Sequence, residues 1–207
     1  MTAIWGGYAL RWARASVRMP AAQAAVPGQA RPFVELFAPG AFGRLLARKP
    51  AVELQARHGG APLASTTDGS LELWEDGAGL AFRASVAADL PIRAAPVSVL
   101  FAADAAGFTR TRGAAADVVT IRHVRELPHI ALVAEAASEA PAHADAVAWM
   151  DGDWQGLPPP LQAMRRRWHV GYAASVLRRS RPAGRVLKLP PAICAMIDAE
   201  MARREGR

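Results

Sequence analysis

The chain is poor in cysteine, since Cys194 is its single thiol among 207 residues. One cysteine excludes an internal disulfide framework and is compatible with a reducing compartment. Long apolar runs are missing too, because no window approaches the roughly 20 apolar residues that a membrane-spanning helix needs. The apolar opening Ala3–Leu10 has no basic segment before it and is followed at once by Arg11, so neither a secretory signal nor a membrane anchor is expected.

Several familiar catalytic and binding motifs are absent as well. The sequence has no GxSxG elbow, no Walker-type glycine-rich loop, no HExxH and no CxxC, which argues against α/β-hydrolases, P-loop NTPases, zincins and CxxC proteins. Histidine occurs five times, and the spacing of His123 and His143 is not that of a metal pair. We therefore expect no metal and no cofactor, and we expect these two histidines to lie at the surface.

Positive charge is distributed unevenly along the chain. From Gln155 onward there are eleven Arg or Lys residues against three acidic ones, whereas residues 1–154 contain fourteen basic and fifteen acidic side chains. A nucleic-acid-binding fold would spread basic charge over its recognition face. The pattern instead indicates a nearly neutral domain with a basic appendage, so we expect contact with nucleic acid or acidic scaffold segments only through that appendage.

Short strands separated by turn residues dominate the first 150 residues. Apolar residues alternate in Val52–Ala56 and Leu71–Trp74, and the Asp-Gly pairs at 68–69 and 76–77 predict consecutive hairpins. Many short strands with little helix favour a barrel or a closed sandwich. The fold expected is a mainly β domain with peripheral helices, a closed or partly open antiparallel β-barrel. Further strands are predicted at Ile4–Ala13, Phe33–Phe37, Val97–Ala102, Asp117–Val124 and His129–Ala134, with a short helix at Phe42–Ala47.

The composition changes near residue 150. Asp151-Gly152-Asp153 and a run of three prolines at 158–160 interrupt regular structure and are typical of a linker. Beyond them, Leu161–Arg179 and Pro191–Arg204 have helical spacing. The predicted organisation is a domain over 1–150, a linker over 151–160 and a basic helical region over 161–207.

Three polar residues stand in or beside apolar strands. Ser98 interrupts the run Val97–Phe101, where a buried hydroxyl requires a hydrogen-bonding partner, and His129 opens the run His129–Val133. His58 ends a predicted strand and enters Gly59-Gly60. A serine in a strand is usually a bonded sheet residue, and a histidine at a strand end is usually solvated. Spacing alone therefore only nominates these three residues for catalysis.

Several segments in order along residues 6–148 resemble the prohead (capsid-maturation) serine proteases of tailed bacteriophages. The strongest match is the block that begins at His58, and Ser98 falls where that family places its nucleophile. The opening and closing segments are similar as well. The segments that carry the resemblance are Gly7-Tyr8-Ala9, Leu36–Phe42 (LFAPGAF), His58, Pro62–Thr66, Asp68–Asp76, Gly79–Phe82, Ser98 with Phe101, and Leu127–Val133 with Pro141-Ala142.

The resemblance implies a serine endopeptidase with Ser98 as nucleophile and His58 as general base. His129 stands where many members have Glu, an arrangement similar to the Ser-His-His sites of the herpesvirus assemblins, which are more distant relatives. His129 would then orient the His58 ring, and Glu126 and Glu135 are the alternative candidates for that role.

The resemblance also implies partners and a location. The expected substrates are the major capsid protein and scaffold segments, inside the immature capsid in the cytoplasm of a bacterial host. Self-cleavage and a homo-oligomer are compatible with it, and no membrane contact is expected. The alternatives are a catalytically inactive capsid-assembly or scaffolding protein of the same fold, and, less favoured, a basic nucleic-acid-binding module.

Overall fold

The computed structural model describes residues 3–86, 94–132, 147–150 and 159–179. The chain divides into two compact units, residues 1–153 and residues 154–207. Among the described residues, all strands belong to the first unit, together with a short α-helix, α1 (Gly43–Ala47), and a 3₁₀ turn, Ala21–Gln23. The strands are β1 (Ala3–Arg11), β2 (Phe33–Phe37), β3 (Glu53–Gln55), β4 (Pro62–Ser65), β5 (Leu71–Glu75), β6 (Gly79–Val86), β7 (Ala94–Ala103), β8 (Phe108–Thr111), β9 (Asp117–Ile121), β10 (Val124–Leu132) and β11 (Val147–Met150).

Eight strands form one sheet in the order β4-β3-β10-β7-β11-β1-β6-β5. A second sheet has the order β2-β9-β8. Most neighbours are antiparallel, but β3 runs parallel to β10 and β2 runs parallel to β9. The prediction of a purely antiparallel arrangement is therefore wrong in these two places. Parallel neighbours need a long connection, and in both pairs the partners lie far apart in the chain.

The first of the two predicted hairpins is also wrong. β5 and β6 pair around Asp76-Gly77 as expected, but β4 and β5 do not pair with each other and lie at opposite ends of the strand order. A side-chain hydrogen bond takes the place of backbone pairing here: the Ser65 N–H at the end of β4 donates to Ser70 Oγ, just before β5, at 2.8 Å. The turn at Asp68-Gly69 thus carries the chain from one edge of the large sheet to the other.

The described strand pairing makes a mainly β structure with little helix. It closes no barrel within the described residues, so closure stays a prediction.

The core lies between the inward faces of the strands. Alternation sets these faces: in β7, Val97 and Phe101 are buried, whereas Leu100 remains 48% exposed. Burying each large apolar side chain stabilises the fold by about 1.5–3 kcal/mol. The largest fully buried side chains of this unit are Trp5, Tyr8, Leu10, Phe33, Phe37, Phe42, Leu54, Leu80, Phe82 and Ile121.

The second unit contains the helix α2 (Pro159–Arg179), which lies where the sequence predicts a helix over 161–179. Its Trp168 stacks on Tyr172, with ring centroids 5.6 Å apart. The second predicted helix, 191–204, and most of the predicted linker lie outside the described residues. Within the described residues, no helix combines the length and apolarity needed to cross a membrane.

Candidate active site

Three adjacent strands, β3, β10 and β7, place Ser98 and His129 on one face of the large sheet. His129 of β10 lies opposite Glu53 of β3 and opposite Leu100 of β7. One step along, Ala131 lies opposite Gln55 and Ser98. Directly paired residues point to the same side of a sheet, so these six side chains share a face. The residues between them, such as Leu54 and Ile130, are fully buried on the other face.

A β-bulge turns His129 onto this face. Between the pairs Glu126–Ala102 and His129–Leu100, β10 has two residues, Leu127 and Pro128, where β7 has one. Leu127 and Ile130 are both buried although three positions separate them, because the bulge absorbs one residue. Pro128 fits this position since a bulged residue has no ladder hydrogen bond to donate.

The two imidazoles are joined directly. His58 Nδ1 lies 2.7 Å from His129 Nε2, a hydrogen bond between partly buried rings. One nitrogen must donate and the other must accept, so the tautomers of the two rings are coupled. If His58 Nδ1 donates, its Nε2 is the nitrogen left to accept a proton from another group.

His58 sits in a tight turn that follows β3. The Gly60 N–H donates to Arg57 O at 3.0 Å, which makes His58 and Gly59 the two central residues of a β-turn. Gly59 has φ +71°, the left-handed value that glycine adopts at little cost. Gly59 therefore suits the turn that projects His58 back over the sheet.

Ser98 stands diagonally from His129 on the neighbouring strand. Such diagonal positions are separated by roughly 7–8 Å, within the reach of an imidazole between them. Ala131, opposite Ser98, has a small side chain and is fully buried. Among the described residues no hydrogen bond joins the Ser98 hydroxyl to either imidazole; contacts of this kind often tighten only when substrate binds.

The electrostatic setting favours a neutral His129. Partial burial lowers the pKa of His129, the neighbouring His58 lowers it further, and the carboxylate of Glu53 acts in the opposite direction. A neutral His129 can accept the proton of His58 Nδ1, as an orienting group must.

The model of the family described as "Caudovirus prohead serine protease" matches residues 2–147, which include the whole of this constellation. The chain belongs to that family. Membership of the prohead protease family assigns the chain to serine proteases of capsid maturation, a class that acts within the procapsid on capsid proteins. No curated protein and no solved structure matches the chain significantly.

Two residues of this prohead protease site were not nominated from the sequence. Gln55 Nε2 donates to Glu53 Oε2 at 2.8 Å, and Gln55 Oε1 accepts the Gly59 N–H at 3.1 Å. The alternation of Val52–Ala56 marks both side chains as outward facing. Nothing in the sequence shows that β3 pairs with β10, which is what brings Glu53 to His129.

The rival orienting carboxylates are placed less favourably or are not described. Glu126 is 58% exposed and its Oε1 lies 3.1 Å from Arg125 Nε on the same strand. Glu135 and His143 lie outside the described residues. In the described part of the chain no group of His, Cys, Asp and Glu has the arrangement of a metal site.

Proposed function

We propose that this prohead protease family member is a serine endopeptidase that uses Ser98, His58 and His129 to cleave capsid and scaffold proteins inside the immature phage-like particle. The observation that carries the proposal is the 2.7 Å hydrogen bond between His58 Nδ1 and His129 Nε2 on the face that also bears Ser98. A paired imidazole beside a strand serine is the arrangement that nucleophilic acyl transfer requires.

In the proposed reaction, Ser98 Oγ attacks the scissile carbonyl and its proton passes to His58 Nε2. His58 then gives that proton to the leaving amine, and the C–N bond breaks to leave an ester on Ser98. Water activated by His58 hydrolyses the ester and restores the hydroxyl. His129 accepts the Nδ1 hydrogen bond throughout and holds His58 in the productive tautomer.

A triad without a carboxylate is expected to be slow. Replacing the triad aspartate of a chymotrypsin-type protease lowers the rate by about 10⁴-fold, and a neutral partner stabilises the imidazolium less than a carboxylate does. Slow turnover is sufficient for a protease enclosed with its substrates at high local concentration.

The test is coexpression of the chain with its candidate major capsid protein, followed by mass spectrometry of the capsid protein's N-terminus. We expect trimming with the wild type and none with Ser98→Ala. Ser85→Ala is the matched control, because Ser85 is a partly buried strand serine on β6, outside the three strands of the site. His129→Ala should abolish trimming, whereas Glu126→Ala should leave it.

Equal trimming with wild type and Ser98→Ala would refute the proposal. Absence of trimming in both would favour the alternative of an inactive capsid-assembly protein. That alternative draws its support from the lack, among the described residues, of a hydrogen bond between Ser98 and His58.

A further inference from the structure

Glu53 lies directly opposite His129 in the parallel pairing of β3 with β10. The two side chains leave neighbouring strands on the same face, so the carboxylate is close to the second imidazole. Glu53 is only partly exposed, which weakens the screening of its charge by water. The side of the imidazole pair away from Ser98 therefore has an acidic neighbour.

Gln55 connects this carboxylate to the turn that carries His58. Its amide N–H₂ donates to Glu53 at 2.8 Å, and its amide oxygen accepts the Gly59 N–H at 3.1 Å. Gln55 is 7% exposed, so both of its polar atoms need partners within the protein. One buried amide thus fixes the position of Glu53 and of the residue next to His58.

The chemistry of the pair explains why a carboxylate matters there. When His58 takes the proton of Ser98, positive charge develops over the two hydrogen-bonded rings. With Nε2 of His129 accepting from His58, the remaining proton of neutral His129 is on Nδ1. A negative charge beside His129 stabilises the charged pair, as the triad aspartate does for a single imidazole.

The charged groups around His129 are few. From β3 it faces Glu53, from the turn His58, and on its own strand Arg125 and Glu126 form a pair with each other. The β7 residues across from it, Leu100 and Ser98, have no charge. Glu53 acts to raise the pKa of His129, against the effects of burial and of His58.

We infer that Glu53 is a positioning residue of this site. Its carboxylate, held in place by Gln55, acts on His58 through His129 and supplies the negative charge that a Ser-His-His triad otherwise lacks. The inference rests on the proposed function for its effect on cleavage. Its effect on the imidazoles can be measured without any substrate.

The experiment is an NMR titration of the imidazole rings in the full chain, comparing wild type, Glu53→Gln, Glu53→Asp and Glu126→Gln. His129 resonances are assigned from a His129→Asn variant. We expect Glu53→Gln to lower the pKa of His129, Glu53→Asp to retain most of the wild-type value, and Glu126→Gln to have no effect. Glu126→Gln is the control for removing a carboxylate, because Glu126 is close to His129 in the sequence but is solvent exposed.

Cleavage gives the second readout. Glu53→Gln should lower kcat by roughly 10–100-fold with little change in KM, the same range as the loss when a metal-bound histidine is deprived of its hydrogen-bonded carboxylate. Gln55→Leu, which keeps the side chain's size but removes both hydrogen bonds, should reduce kcat in the same direction. Glu53→Asp should recover part of the loss.

The outcomes are distinguishable from a failure of the proposed function. If the wild type cleaves nothing, the triad proposal fails, while the titration still decides whether Glu53 acts on His129. If Glu53→Gln titrates like Glu126→Gln, the inference is overturned whatever the cleavage assay gives. Thermal unfolding of each variant shows whether a lost signal reflects a lost fold.

Discussion

Glu35 is an acidic side chain on the buried face of β2. The alternation of the strand places it between Phe33 and Phe37, and it is only 4% exposed. Its main chain is well held, since the Glu35 N–H donates to Ser16 Oγ at 2.8 Å and its carbonyl accepts the Ser16 N–H at 2.9 Å. Burial raises the pKa of Glu35 from 4.5 to about 7, because the charged form loses its hydration.

This burial makes stability depend on pH. The folded state binds the Glu35 proton more tightly than the unfolded state, so the stabilisation is complete below pH 4.5 and is lost as the pH rises through about 7. The difference corresponds to about 3 kcal/mol. We expect Glu35→Gln to unfold like the wild type at pH 4.5 and to be more stable by up to that amount at pH 8, measured by urea denaturation.

Glu126→Gln serves as the control, because it removes one carboxyl group from a side chain that is 58% exposed. A Glu35→Gln protein with the same decline between pH 5 and pH 8 as the wild type would contradict this account.

At the scale of elements, the bulge in β10 decides where His129 points. Leu127-Pro128 oppose one residue of β7, and removing one of the two would restore simple alternation. The inward residues Leu127 and Ile130 would stay inward, so the strand could still pair. With Leu127 and Ile130 inward, His129 would still point outward after the deletion; with Pro128 present, it is the bulge that keeps His129 on that face.

Deletion of Pro128 tests this account. We expect the deletion variant to unfold cooperatively with a loss of about 1–3 kcal/mol, and to trim the capsid protein at about the rate of Pro128→Ala, because His129 keeps its face. Pro128→Ala, which keeps the residue count, should retain the bulge and most of the trimming. Circular dichroism melts and the coexpression assay provide the two measurements.

A deletion variant that unfolds cooperatively but trims no better than His129→Ala would overturn this account.

The elements themselves could largely be predicted from the sequence, but their partners could not. Alternation and turn residues locate β2 at Phe33–Phe37 and put Ser98 and Leu100 on one face, as observed. The pairing of β3 with β10 joins segments with no shared pattern, so neither its parallel direction nor the approach of Glu53 to His129 was foreseen. Local propensity describes a strand's own faces and says little about which distant strand lies beside it.

At the scale of the whole molecule, charge is divided between the two units. Residues 155–207 contain eleven basic and three acidic side chains, whereas residues 1–154 are nearly neutral. Attraction to a polyanion depends on the local density of positive charge and weakens as salt rises. Binding to such a surface should therefore depend on the second unit alone.

We expect a chain ending at residue 154 to pass through a heparin column at low salt, whereas the full chain should be retained and elute as salt increases. The matched control replaces Arg110 and Arg122 of the first unit by Gln, which removes two basic side chains there and should leave retention almost unchanged. Retention of the shortened chain equal to that of the full chain would favour the nucleic-acid-binding alternative.

The parallel pairing of β3 with β10 has a consequence for synthesis. His58 precedes its partner His129 by 71 residues, so a nascent chain that has been synthesised only as far as β9 lacks the second imidazole. Contacts this distant in sequence form late, because the intervening loop must close first. Under the proposed mechanism with Ser98, His58 and His129, cleavage can therefore begin only after translation has passed the tenth strand.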